Sequence, residues 1–131
     1  MDYPPGVSIN DWSDDIQIAE LQDDPSFSED MTTLATRYQA VIDAVKAGRT
    51  APPVADLVLD LRRVHFLNST NIAQLLRLRK LAMTAGARIR MCSVSDRIWG
   101  VLLATDLDRI FDFSEDSTTA LVALQMGRGE R

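Results

Sequence analysis

The sequence predicts an α/β domain in which a mixed, mostly parallel central sheet is packed by about four helices, and three observations carry that prediction. Short apolar runs alternate with longer segments of helical period along most of the 131 residues, the pattern of strands joined by crossover helices. The run at 57–61, Leu-Val-Leu-Asp-Leu, is too apolar for a strand with one wet face and fits one buried on both. Glycines at 48 and 86 follow the two longest helical stripes, where a chain leaving a helix commonly needs a left-handed residue. A chain of this length makes one domain, large enough to bury a core without staples.

Residues 1–6, with Pro4-Pro5-Gly6, read as a flexible lead. Period-two alternation at 7–9 and 16–21, on either side of Asp14-Asp15, predicts a hairpin. Asp23-Asp24-Pro25-Ser26 turns the chain. Met31, Leu34, Ala35, Tyr38, Val41, Ile42 and Val45 then form a helical stripe. After a connector at 49–53, the strand at 57–61 leads to a helix over 71–85. Its inner face is expected to hold Ile72, Leu75, Leu76 and Met83, widened by Leu78, Leu81, Ala82 and Ala85. A strand at 88–94, a helix at 96–104, a strand at 110–113 and a helix at 117–126 complete the alternation. The expected organisation is one domain over 7–126 between the lead and a flexible tail at 127–131. Most of its core should come from Leu57, Leu59, Leu61, Ile72, Leu75, Leu76, Ile89, Met91, Ile98, Val101, Leu102, Leu107 and Phe111.

Composition excludes several functions. A net charge of −5 with dispersed basic residues argues against nucleic acid as a ligand. No apolar run approaches the roughly 18 to 20 residues that span a bilayer, and the first residues lack a signal peptide's basic and apolar regions. No membrane insertion and a cytoplasmic location are therefore expected. His65 is the only histidine and Cys92 the only cysteine. With no glycine-rich phosphate loop and no metal-ligand spacing, neither catalysis nor a cofactor nor a metal is expected. Cys92, inside the apolar run 89–94, reads as a packed thiol, and His65 as a satisfied or solvent-facing side chain. The acidic pairs at 14–15, 23–24 and 115–116 fall at turns and read as solvated.

Between the central strand and its helix stands Asn68-Ser69-Thr70-Asn71. The first N–H groups of a helix lack intrahelical partners, so Asn, Ser and Thr are expected there as caps, and an anion is favoured at the same place. Capping alone would account for the tetrad. A phosphate on Ser69 would also be tolerated, because the helix dipole stabilises negative charge at that end.

The strand, tetrad and helix together resemble the core motif of the STAS family, the bacterial anti-sigma factor antagonists and their relatives, in which a strand runs into Asp-Ser-Ser/Thr-Gly and then a helix. The resemblance continues through 86–95, similar to the family's glycine-ended helix and next strand, and through Ser95-Asp96-Arg97-Ile98 with Val101-Leu102. Thr105-Asp106-Leu107-Asp108-Arg109-Ile110-Phe111 is similar to the family's Thr-Gly-Leu-Asp-Lys-Leu-Phe step. In all it covers about residues 54–124. Asn68 stands where the family has an acidic residue and Asn71 where it has glycine. Asp24-Pro25-Ser26-Phe27 stands near the place of the family's glycine-containing turn.

The resemblance implies a non-enzymatic switch: an anti-sigma factor antagonist that binds an ATP-binding, serine-kinase type of anti-sigma factor while Ser69 is unphosphorylated and releases it afterwards. Thr70 is the secondary phosphorylation candidate. ATP and Mg²⁺ would belong to the partner. The expected contact surface comprises Asp24, Asn68, Ser69, Thr70 and Asn71, with Trp99 and Leu103. These last two point off the stripe Ile98, Val101 and Leu102, at positions usually polar in the family. Gly100 beside them costs the helix about 1 kcal/mol relative to Ala, which suggests that something approaches closely. A homodimer or an assembly of like domains is a further partner to consider. The alternative is a non-phosphorylated STAS scaffold, or the soluble subunit of a lipid or anion transport complex, with the helix after the tetrad permanently docked.

Overall fold

The computed structural model describes residues 8–129; the expected lead at 1–6 and the last two residues of the expected tail lie outside it. The chain runs β1 (Ile9–Ser13), β2 (Ile16–Gln22), α1 (Ser26–Lys46), β3 (Asp56–Arg63), α2 (Ser69–Ala85), β4 (Ile89–Cys92), α3 (Asp96–Ala104), a 3₁₀ turn (Leu107–Arg109), β5 (Asp112–Ser114) and α4 (Ser117–Gly129). The strands lie in sequence order in one sheet, antiparallel only between β1 and β2. This is the mixed, mostly parallel sheet with four helices that the alternation predicts.

Both faces of β3 are buried, as its composition requires. Leu57, Leu59 and Leu61 pack with Phe27, Leu34 and Tyr38 of α1 and Leu75, Leu78 and Ala82 of α2. Val58 faces the other way and joins Ile16 and Cys92 beneath Ala120, Leu121 and Leu124 of α4. Register keeps the layers in step, since Leu59 lies opposite Ala19 on one side and Met91 on the other. Cys92 is the packed thiol expected, and burial pushes its pKa up to about 12.

The inner face of α2 differs from the expected one. Asn71, Leu75, Leu78 and Ala82 are buried, whereas Leu76 and Met83 are exposed. The buried set rises in steps of three and four from Asn71, a polar residue, and at 100° per residue this turns Leu76 and Met83 off the sheet. Val45, in the last turn of α1, is likewise exposed. Of the other expected core residues, Ile72 and Ile89 pack at the margin and Val101 is half-buried; the remainder are buried.

Helix α4 continues to Gly129, three residues past its expected end and into the stretch read as a tail. A close approach accounts for Gly127, where a Cβ would collide with the Arg88 guanidinium. Arg88 closes the sheet at the N-terminal end of β3. Its backbone N–H donates to Oδ1 of the buried Asp56 at 2.8 Å, and its guanidinium donates to Asp56 Oδ2 at 2.8 and 3.1 Å and to the Leu124 carbonyl at 2.7 Å. Gly100, by contrast, has nothing within 4 Å of a Cβ. No contact among the described residues requires glycine there.

Gly86 ends α2 as expected, in the left-handed region at φ 87°. Asp106 is left-handed too, at φ 61°, in the Thr-Asp-Leu step where the resembling motif carries glycine. Aspartate tolerates this region better than most side chains but still at a cost. Asp106→Gly should therefore raise stability by up to about 1 kcal/mol, net of the added unfolded-chain entropy, as read by urea titration. In the same assay Leu59→Ala should lose roughly 2 to 5 kcal/mol, because a wholly buried leucine leaves a cavity between two layers.

Candidate functional site

Parallel strands open their C-terminal ends to solvent where the chain turns into the next helix. At the C-terminal end of β3 the sequence Val64-His65-Phe66-Leu67 leads into the tetrad, and Asn68 takes the capping role. Its Oδ1 accepts from the Asn71 N–H at 2.8 Å, while Asn71 Oδ1 accepts from the Asn68 N–H at 3.2 Å. This reciprocal capping box occupies both asparagines. Ser69 and Thr70 are left exposed, and neither hydroxyl makes a hydrogen bond among the described residues. Capping thus accounts for Asn68 and Asn71 and leaves the two hydroxyls without a structural task.

The turn between β2 and α1 supplies the rest of the site. Asp24 Oδ2 accepts from Asn71 Nδ2 at 3.1 Å and from Asn68 Nδ2 at 3.3 Å. Its Oδ1 accepts the Ser28 N–H at 2.9 Å and the Ser28 hydroxyl at 2.7 Å. One carboxylate therefore satisfies the start of α1 and anchors the start of α2. Asn71, 2 % exposed, spends its second amide hydrogen on Gln74 Oε1 at 3.2 Å, so every polar atom of this buried side chain is engaged. The neighbouring Asp23 holds the approach to the tetrad. Its carboxylate accepts from the N–H groups of His65 at 2.7 Å and Phe66 at 3.2 Å, and lies 3.0 Å from His65 Nδ1. Asp24, exposed in its turn as expected, thus also ties two helix starts together, and Asp23 ties the loop that leads into the second. His65 is both solvent-facing and satisfied, as expected.

These contacts order the electrostatics. The Ser28 hydroxyl, aided by the Ser28 N–H and the two asparagine amides, holds the Asp24 carboxyl below its ordinary range against a smaller, opposing desolvation effect. Partial desolvation pushes Asp23 up, but the His65 and Phe66 donors together overrule it and hold that carboxyl low as well.

Of the expected contact residues, Asp24 and Asn68–Asn71 come together at one end of the sheet. Trp99 does not join them in hydrogen bonding or stacking. Its ring meets Phe113 of β5 edge-on, with centroids 5.0 Å apart and planes at 86°, so part of the side chain fastens α3 to the edge strand. Trp99 and Leu103 nevertheless stay 37 % and 48 % exposed. The α3 residue that reaches the tetrad's approach loop is Arg97, whose guanidinium lies 5.4 Å from the centroid of Phe66, itself 65 % exposed. Neither Phe66 nor Asp23 was singled out in the sequence as a site residue. A large aromatic between a buried strand and a polar tetrad was the available signal for Phe66; Asp23 gave none.

Among the described residues no three or more His, Cys, Asp or Glu side chains are grouped to hold a metal ion, and no helix is long and apolar enough to cross a membrane. The STAS domain family model matches residues 8–120. An anti-sigma-factor antagonist (STAS) domain protein from Planctomyces limnophilus has a similar structure, with a TM-score of 0.65, 20% identity, and coverage of 84% of this chain and 91% of that one. A Thermotoga maritima protein described as a candidate anti-sigma factor antagonist matches with a TM-score of 0.60, 18% identity, and coverage of 86% and 90%. A sulfate transporter family protein from Wolinella succinogenes matches with a TM-score of 0.56, 19% identity, and coverage of 72% and 76%. At these identities the likeness is one of fold. No curated protein sequence matches the chain.

Both low carboxyls stabilise the fold only while ionised. Their contribution is complete above the unfolded carboxylate range and is lost as pH falls through their lowered folded values. Thermal melts from about pH 7 down to about pH 2 should show a shallower acid-side decline for Asp23→Ala than for the unsubstituted protein. The variant should already be less stable at neutral pH.

Proposed function

Because this chain belongs to the STAS domain family, we propose that it is a protein-binding switch of the anti-sigma factor antagonist kind, which docks on an ATP-binding, serine-kinase type of anti-sigma factor while Ser69 is unmodified. One observation supports the reading: Asn68 and Asn71 cap α2 between them, and Ser69 stands exposed with its hydroxyl unengaged among the described residues. A residue needed only as a cap would be spending its oxygen on a backbone N–H.

The mechanism follows from charge. A phosphoserine adds about −1.5 to −2 charges. At the first turn of α2 the helix dipole and free N–H groups stabilise that charge within the domain. A partner surface fitted to a neutral hydroxyl rejects it through desolvation and repulsion. The fold is kept while the partner leaves. The proposed surface is Asp24 with Asn68, Ser69 and Thr70, extended along α3 by Trp99 and Leu103; Asn71, expected among the contact residues, is buried and braces the tetrad from beneath. Thr70, equally exposed, is the secondary acceptor. ATP and Mg²⁺ belong to the partner, and the chain works in the cytoplasm as a regulator of transcription.

Intact mass after incubation with source-organism lysate and ATP should show a single phosphate on the unsubstituted protein and none on Ser69→Ala. Ser69→Glu should abolish capture of the anti-sigma factor, and Ser69→Ala should bind without being switchable. Both should melt within about 0.5 kcal/mol of the parent, as expected for exposed substitutions at a helix start. A parent that gains no phosphate, with Ser69→Ala and Ser69→Glu binding equally, would leave the permanently docked scaffold or transport subunit as the function.

A further inference from the structure

We propose that Asp24 is the positioning residue of the Ser69 site: its carboxylate, brought in from the turn before α1, supplies the negative charge at the start of α2 and makes residues 68 and 71 amides. The inference deepens the switch reading of Ser69 and rests on it. Its basis is hydrogen-bond polarity. Asp24 Oδ2 accepts from Asn68 at 3.3 Å and from Asn71 at 3.1 Å, and both donors are side-chain NH₂ groups. An ionised carboxylate has nothing to donate. An aspartate at 68 would cap α2 about as well as asparagine, but its second oxygen would face Asp24 Oδ2 where Nδ2 now donates. A glycine at 71 would remove the acceptor of the Asn68 N–H, one of the two donors to Asp24 Oδ2, and the Gln74 contact at once.

The two positions where the tetrad departs from Asp-Ser-Ser/Thr-Gly are thus the two that touch Asp24, and a single residue accounts for both. The site keeps a carboxylate at the start of α2, on a different element. Because Asp24 also holds the Ser28 N–H and hydroxyl, the frame around Ser69 is fixed to α1 as well as to β3. A partner or kinase approaching the serine therefore meets a charge whose position is set by the β2–α1 turn.

Three variants test this: Asn68→Asp, Asp24→Asn and the exchange Asp24→Asn with Asn68→Asp. Asn68→Asp alone should lower the melting temperature by about 5 °C, and the exchange should recover part of it, since one carboxylate and one amide face each other again across 24 and 68 while the Asn71 NH₂ loses its acceptor at 24. The initial rate of Ser69 phosphorylation in source-organism lysate with ATP should fall on the order of tenfold in Asp24→Asn, the scale of one lost charge contact, and return in the exchange variant. A merely structural tie would move the melting temperature without that return. An Asn68→Asp protein that melts with the parent, or an exchange that recovers nothing, overturns the inference. Thermal recovery with no phosphate on any variant, parent included, upholds Asp24 as the tie that orders the tetrad and overturns the switch. Phosphorylation that is equal in the parent and Asp24→Asn, with no recovery by the exchange, leaves the switch standing and overturns Asp24.

Discussion

The burial of β3 on both faces is the constraint from which the rest of the molecule follows. A strand with leucines against α1 and α2 and a valine against α4 is wet only toward its C-terminal end, where Asp60 is half-buried and Arg62 exposed. Its polar business is confined to its two ends. Each end is closed by carboxylates. At the start of β3, Asp56 is matched to Arg88, which also reaches the C-terminal part of α4. At the finish, Asp23 and Asp24 reach across from β2 to the loop and helix that follow β3. Removing the Arg88 guanidinium would leave the buried Asp56 carboxylate without its charged partner, a heavier penalty than the pair itself repays.

The functional end is therefore rigid where it is polar and free where it is reactive. Six donors from three segments converge on Asp23 and Asp24, and the capping box fixes the backbone on either side of Ser69 and Thr70. Little ordering is left to be done when a partner docks, which is how preorganisation strengthens binding without adding contacts. The same frame explains why a charge could be placed on Ser69 without unfolding α2: the serine contributes nothing to holding the helix start.

Much of this was legible in the sequence because it rests on local pattern. The doubly buried strand follows from an unbroken apolar run, Gly86 as a terminator from its place after the stripe, and the tetrad from a change of period. What was illegible depends on partners far apart in the chain. Asp24 and Asn71 are 47 residues apart, and Asp23 and His65 are 42 apart; nothing in either neighbourhood distinguishes these carboxylates from solvated turn residues. Asn71 misled in the same way. Its amide looks like surface, yet it heads the buried face of α2, and counting the stripe from Ile72 instead turned Leu76 and Met83 inward on paper. Gly127 read as tail because only the Arg88 side chain, 39 residues earlier, gives it a reason to be glycine.

The two faces of the sheet are unequally covered. One carries α1, α2 and α3, whereas the other is sealed by α4 through a much smaller apolar cluster. Local opening concentrates where few apolar contacts must be given up, and α4 has fewer to give up than the helices of the other face. Beneath it lies Cys92, the chain's only thiol, fully covered and held protonated. Its alkylation rate consequently works as a native clock for that opening: slow chemistry reports a seated helix, faster chemistry a raised one. The molecule carries its own probe of layer separation, on the face away from α1 and α2, with no label introduced.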